Sequence, residues 1–168
     1  MRRILVLTLV LFQLALGSAV ADLEDLVSTR RAGPFKRGVT TFEQAREWFG
    51  RPDRVTHHDY QCIRVKDARW SNKFRVTFNR FDNTMVVAII KRRSVNSEQH
   101  GRLAFHTSER LRVADGIDEL EAKYPNARRH QHNGYAHHIL VSNETGRLEA
   151  TTEDGRVTEL RSFPYEAC

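Results

Sequence analysis

The chain predicts an α+β fold made of two tandem helix-plus-antiparallel-sheet repeats, whose sheets could join into one continuous concave surface. Three observations predict it. The second half restates the first at an offset of about 75 residues, the scale at which repetition signals architecture. Phe42-Glu43-Gln44-Ala45-Arg46-Glu47-Trp48-Phe49 lies on Ile117-Asp118-Glu119-Leu120-Glu121-Ala122-Lys123-Tyr124, while Thr40 meets Asp115 and Tyr60 meets Tyr135. Each copy then leaves helical spacing for runs that alternate apolar and polar residues, the period of a half-buried strand. Hairpin-length turns separate those runs, an order that gives antiparallel sheet with a helix on one face.

Residues 1–21 read as an export signal. Arg2-Arg3 make a positive start, Ile4 to Leu16 is an apolar run broken only by Thr8 and Gln13, and Ala19-Val20-Ala21 is a small-x-small cleavage site. The run is short of the roughly 20 residues a spanning helix needs, so no transmembrane segment is expected after cleavage. Removing 21 of the 168 residues leaves 147, enough for one compact core or two small halves that share one. The signal carries two arginines and no acid, so the formal charge of +6 falls to +4. That balance favours acidic partners or an anionic surface and does not diagnose nucleic-acid binding. The expected location is secreted or periplasmic.

In the first repeat, 22–95, a short helix is expected around Leu23, Leu26 and Val27. Thr40-Thr41-Phe42-Glu43 reads as a capping box, with Thr40 at the cap. Phe42, Ala45 and Phe49 follow on one helical face, and Gly50 with Pro52 ends the helix. Strands follow at Tyr60 to Val65, at Phe74 to Phe78 and at Met85 to Ile90. The second of these alternates cleanly, with Phe74, Val76 and Phe78 on one face and Arg75 and Thr77 on the other. The polar stretch 96–110 is the expected linker.

The second repeat, 111–168, behaves alike. Asp115 is the expected cap, Ile117, Leu120 and Tyr124 form the apolar stripe, and Pro125 stops the helix. Strands are expected at Ala136 to Val141, Arg147 to Thr152 and Arg156 to Phe163, with Asp154-Gly155 as a hairpin turn. Each half thus reads as a helix followed by three strands.

Two cysteines are present, Cys62 and Cys168. An even pair in an oxidising compartment ordinarily bonds, which would tie the chain's end to the first half. A reactive thiol served by His57, His58, His137 or His138 is the alternative. The histidine clusters also include His130-Gln131-His132, whose two imidazoles would project to one side of a strand, as two metal ligands require. No carboxylate or cysteine stands at ligand spacing beside them, so solvated or interfacial histidine is the favoured reading. Zinc titration tests it. Nucleophile-elbow, zinc-protease and phosphate-loop motifs are absent. The chain is therefore expected to be no enzyme, with no catalytic residue, no metal site and no cofactor.

The phrase Arg37-Gly38-Val39-Thr40-Thr41-Phe42-Glu43-Gln44, running into Phe49-Gly50-Arg51-Pro52-Asp53, resembles the signature of the BamE (SmpA/OmlA) family of small outer-membrane lipoproteins. The tandem arrangement resembles the secreted β-lactamase inhibitor proteins. The resemblance implies a non-catalytic binding sheet whose outward strand residues meet another protein. On that basis Tyr60, Arg64, Lys66, Trp70, Arg75, Tyr135 and His138 are the expected binding residues, with Thr77 and Glu149 beside them. Aromatic and arginine side chains suit this role because they join large contact area to directed hydrogen bonds. Trp70, next to Ser71-Asn72, is expected in a loop. The expected partner is another secreted or envelope protein, the chain itself a monomer acting as an inhibitor or envelope accessory protein. An anionic wall polymer or lipid headgroup is the second option, and metal binding through the histidines a third.

Overall fold

The computed structural model describes residues 25–60, 62–71 and 73–164. The expected signal segment and Cys168 lie outside them. In chain order the elements are β1 (Arg31–Ala32), β2 (Phe35–Lys36), α1 (Phe42–Phe49), β3 (Arg54–Tyr60), β4 (Ile63–Trp70), β5 (Phe74–Asn79), β6 (Met85–Ile90), β7 (Val95–Ser97), β8 (Gly101–Leu103), α2 (Ile117–Lys123), β9 (Arg128–Gln131), β10 (Tyr135–Asn143), β11 (Gly146–Glu153) and β12 (Arg156–Phe163).

Eight strands form one antiparallel sheet in the order β3-β4-β5-β6-β12-β11-β10-β9. Each half is a four-stranded meander rather than the expected three. The additional strands are the edges, β3 and β9, and both are polar: Arg54–Tyr60 is largely exposed, and Arg128–Gln131 exposed throughout. An edge strand buries little, so it lacks the alternation by which a strand is recognised in sequence. The halves meet through their last strands, with Leu160 opposite Ile90, Arg161 opposite Ile89 and Ser162 opposite Ala88. Two like meanders joined antiparallel at their last strands are related by an approximate two-fold axis through that seam.

Both helices lie on the same face. Phe74, Val76 and Phe78 on β5, Ala88 and Ile90 on β6, Leu160 on β12, and Leu148 and Ala150 on β11 belong to one core with Ala45 of α1 and Leu120 of α2. Phe35 from β2 extends that core, its ring 5.3 Å from those of both Phe49 and Phe74. Aromatic pairs of this kind add about 0.5–1.5 kcal/mol beyond their area burial.

The caps differ from the expected register by one residue each. Thr41, not Thr40, is the N-cap of α1: its hydroxyl accepts from the Gln44 amide and the Gln44 side chain accepts from the Thr41 amide. Thr40 is buried instead and accepts from the Lys36 amide. Gly116 is the N-cap of α2 without a side-chain bond. Asp115 turns back, taking the Arg112 amide at 2.8 Å and the Arg93 guanidinium at 2.9 Å. Leu26 and Val27 form β-bridges to His106 and Ala32 rather than a helix.

A clasp from the N-terminal segment closes the seam on the second half. The Arg37 guanidinium donates to the carbonyls of Thr145 and Thr29 and to the Ser162 hydroxyl, and burial lowers it to about 10. Beside it Gly146 has φ +140°, and a Cβ there would stand 2.2 Å from the Phe163 carbonyl oxygen. Only glycine fits such a position.

Of the expected Cys62–Cys168 bridge, the Cys168 end lies outside the described residues, and Cys62 is disulfide-bonded. Cys62 is therefore not a free thiol. The reactive-thiol alternative falls.

Candidate functional site

Strand pairing assigns each side chain to a face, because register partners in an antiparallel pair project to the same side. The face away from the helices carries Tyr60, Arg75 and Tyr135, together with Thr77 and Glu149. The other four expected binding residues belong to the helix face. Trp70 is 4% exposed, stacks on Phe74 and donates its indole N–H to the Gly50 carbonyl at 3.0 Å. It ends β4 rather than entering a loop, so its expected exposure is corrected. His138 is 2% exposed, with Nε2 2.9 Å from the Thr152 hydroxyl. Its expected place on the binding face fails because β10 alternates up to its bulge after Ile139, and there Ala136 and His138 face the core. Lys66 holds its ammonium 3.7 Å from the Phe42 ring centroid, and Arg64 shares its parity at the exposed end of β4.

A transverse row of side chains crosses the open face through all eight strands. Arg54, Arg69 and Arg75 are successive register partners on β3, β4 and β5, and Arg75 pairs on to Ile89. Beyond the seam the row continues through Arg161, Glu149, Ile139 and Arg128. Five of its eight members are arginines. Acids near the row are engaged locally. Asp67 takes the Thr77 hydroxyl and lies 3.8 Å from Arg75 Nε; Glu159 takes Lys91 at 2.6 Å and Arg161 at 2.5 Å. Burial pushes the Glu159 carboxyl up, but the bonds from Lys91 and Arg161 outweigh this and hold it below its ordinary value. Glu149 moves the other way, raised by burial against the opposing pull of Arg161 and Arg147.

At the β9–β10 end three rings meet. Tyr135 stacks on His132 with centroids 4.8 Å apart, and His137 stands edge-on to both, at 5.1 and 5.2 Å. Tyr135 remains 39% exposed. His137 Nδ1 lies 3.2 Å from the Thr151 hydroxyl, and desolvation, then Arg161 and His132, lower its pKa. The cluster offers flat aromatic surface. Among the described residues no group of three or more His, Cys, Asp or Glu side chains is arranged to hold a metal, and no helix is long and apolar enough to cross a membrane.

Tyr60 marks the opposite edge. Burial raises its hydroxyl, and the charges of Glu149, Arg147 and Arg37 act on it.

His132, noted in the sequence as a possible metal ligand, His137, noted as a possible base for a thiol, and Arg54, Arg69 and Arg161, not singled out at all, complete the face. Their grouping depends on register between strands, which no local pattern encodes.

No protein-family model matches the chain and no curated protein does. Among solved structures, an extracellular protein containing an SCP domain from Bacillus anthracis matches at 12% identity and TM-score 0.41, over 80% of this chain and 46% of that one. A cysteine-rich secretory protein from Staphylococcus aureus matches at 12% identity and TM-score 0.42, over 83% and 47%. A proposed β-lactamase inhibitor protein from Streptococcus mutans matches at 12% identity and TM-score 0.30, over 86% and 94%. The chain spans about half the length of the first two. Likenesses this distant assign no function, and the BamE resemblance stays confined to the short phrase that carries it.

Proposed function

We propose that this chain is an exported, non-catalytic protein-binding module that docks another secreted or envelope protein on the open face of its sheet. The observation that carries the reading is the combination on one face of a three-ring cluster at the exposed Tyr135 and a row of three arginines, Arg54, Arg69 and Arg75, on the side opposite both helices. Rings and guanidinium groups are the side chains that anchor protein interfaces. The apolar run of residues 1–21 supports export. Occlusion of a partner's functional surface by a preorganised sheet is the simplest mechanism, and it requires no chemistry from the chain.

The experiment is capture from the native envelope and secretome with the tagged mature chain, alongside a Tyr135→Asp variant. A partner recovered at near-equal stoichiometry by the parent and lost by the variant is expected. Recovery of no stoichiometric protein partner defeats the reading. A second reading, attraction to an anionic wall polymer or lipid headgroup, draws on the exposed Arg128 and Arg129 of edge strand β9. It predicts binding that collapses between low and physiological salt, whereas an anchored protein interface loses mainly association rate.

A further inference from the structure

We infer that Arg54, Arg69 and Arg75 form a docking cleat for an extended, carboxylate-bearing segment of the partner protein. The inference rests on the reading of the open face as protein-binding and specifies which chemistry it takes. Arg54 faces Arg69 directly, and Arg69 faces Arg75. Like charges directly opposite on neighbouring strands destabilise a sheet, so three in succession are a cost unless an anion offsets them. No carboxylate among the described residues pairs with Arg54 or Arg69. The acid nearest Arg75, Asp67, is 3.8 Å from its Nε, and that Nε makes no hydrogen bond. The donors of all three guanidinium groups are thus under-used, in contrast to Arg161, which is bonded to Glu159.

Charge and reach select the occupant. Two inter-strand steps place Arg54 and Arg75 about 10 Å apart, with Arg69 between them. Side chains alternate along an extended segment, so carboxylates at alternate residues share one face about 7 Å apart, a separation that the long guanidinium side chains of the row can span. Guanidinium forks bind carboxylates bidentately, which gives orientation as well as attraction. A uniformly charged polymer fits less well. It would also meet Asp67 on the adjacent position of β4 and Glu149 farther along the row, whereas a protein segment can place neutral residues there.

The test titrates the mature chain with a seven-residue synthetic peptide carrying glutamate at positions two, four and six, which share one face of an extended chain, and serine elsewhere. Backbone amide shifts are followed by NMR at low salt. Saturable shifts confined to β3, β4 and β5, with affinity at least about tenfold weaker in Arg69→Glu, are expected. That variant removes a like-charge contact, so its thermal stability should not fall; Arg69→Gln provides a milder check. Shifts elsewhere, no saturation, or equal affinity in the variants would overturn the inference. So would tighter binding of inorganic polyphosphate than of the peptide, which would point to a polymer. If the captured partner binds parent and Arg69→Glu alike, the protein-binding reading stands and the cleat fails. If no partner is captured at all, the peptide titration still judges the cleat.

Discussion

His138 illustrates how a residue type that suggests surface chemistry can serve the core. Its imidazole is bonded to Thr152 and buried, and its pKa lies below the ordinary value, first through desolvation and then through Arg129, with Glu121 opposing. The depressed pKa means the folded state resists protonation. Above the unfolded value of about 6.5 both states are neutral and the group adds no pH dependence. As pH falls through that value the unfolded chain takes up a proton the fold refuses, and stability is lost until the folded group also titrates. The loss cannot exceed about 1.4 kcal/mol per pH unit for one proton. His138→Gln, which cannot titrate, should therefore show a shallower fall in melting temperature between pH 7 and pH 5 than the parent. His137 is lowered mainly by desolvation and Arg161, with His138 the smallest cause, so the difference between the two proteins reports chiefly on His138. Equal slopes would contradict the assignment.

Among elements, the helices and inner strands were legible because burial writes a period into them. Phe74, Val76 and Phe78 alternate with Arg75 and Thr77, and the structure puts the first three in the core. The same logic failed wherever burial is weak or a rule has two adjacent candidates. Strands β3 and β9 are edges with no buried face of their own. In the cap of α1, Thr40 and Thr41 are chemically interchangeable in sequence, and what separates them is a tertiary bond, Lys36 N–H to the Thr40 hydroxyl. Thr41→Ala should cost about 1 kcal/mol and loosen hydrogen-exchange protection in the first turn of α1. A Thr41→Ala protein as stable as the parent would mean the capping box contributes nothing.

For the whole molecule, the repeat was readable in sequence, but how its copies meet was not. Joining β6 to β12 turns two meanders into one eight-stranded sheet and aligns arginines that are far apart in the chain. That alignment explains why Tyr60, Arg75 and Tyr135 were found singly while the row and the ring cluster were missed. It also puts the two candidate anchor regions, the arginines of β3 to β5 and the rings of β10, on a single face. One measurement tests this most directly: a photo-crosslinking side chain placed at Thr56 or Tyr135 on the open face, and at Glu121 on α2 as the reference, in the cell that makes the protein. Discrete protein adducts from the first two positions and none from the third are predicted. Adducts from Glu121 alone, or from none of the three, would contradict the account.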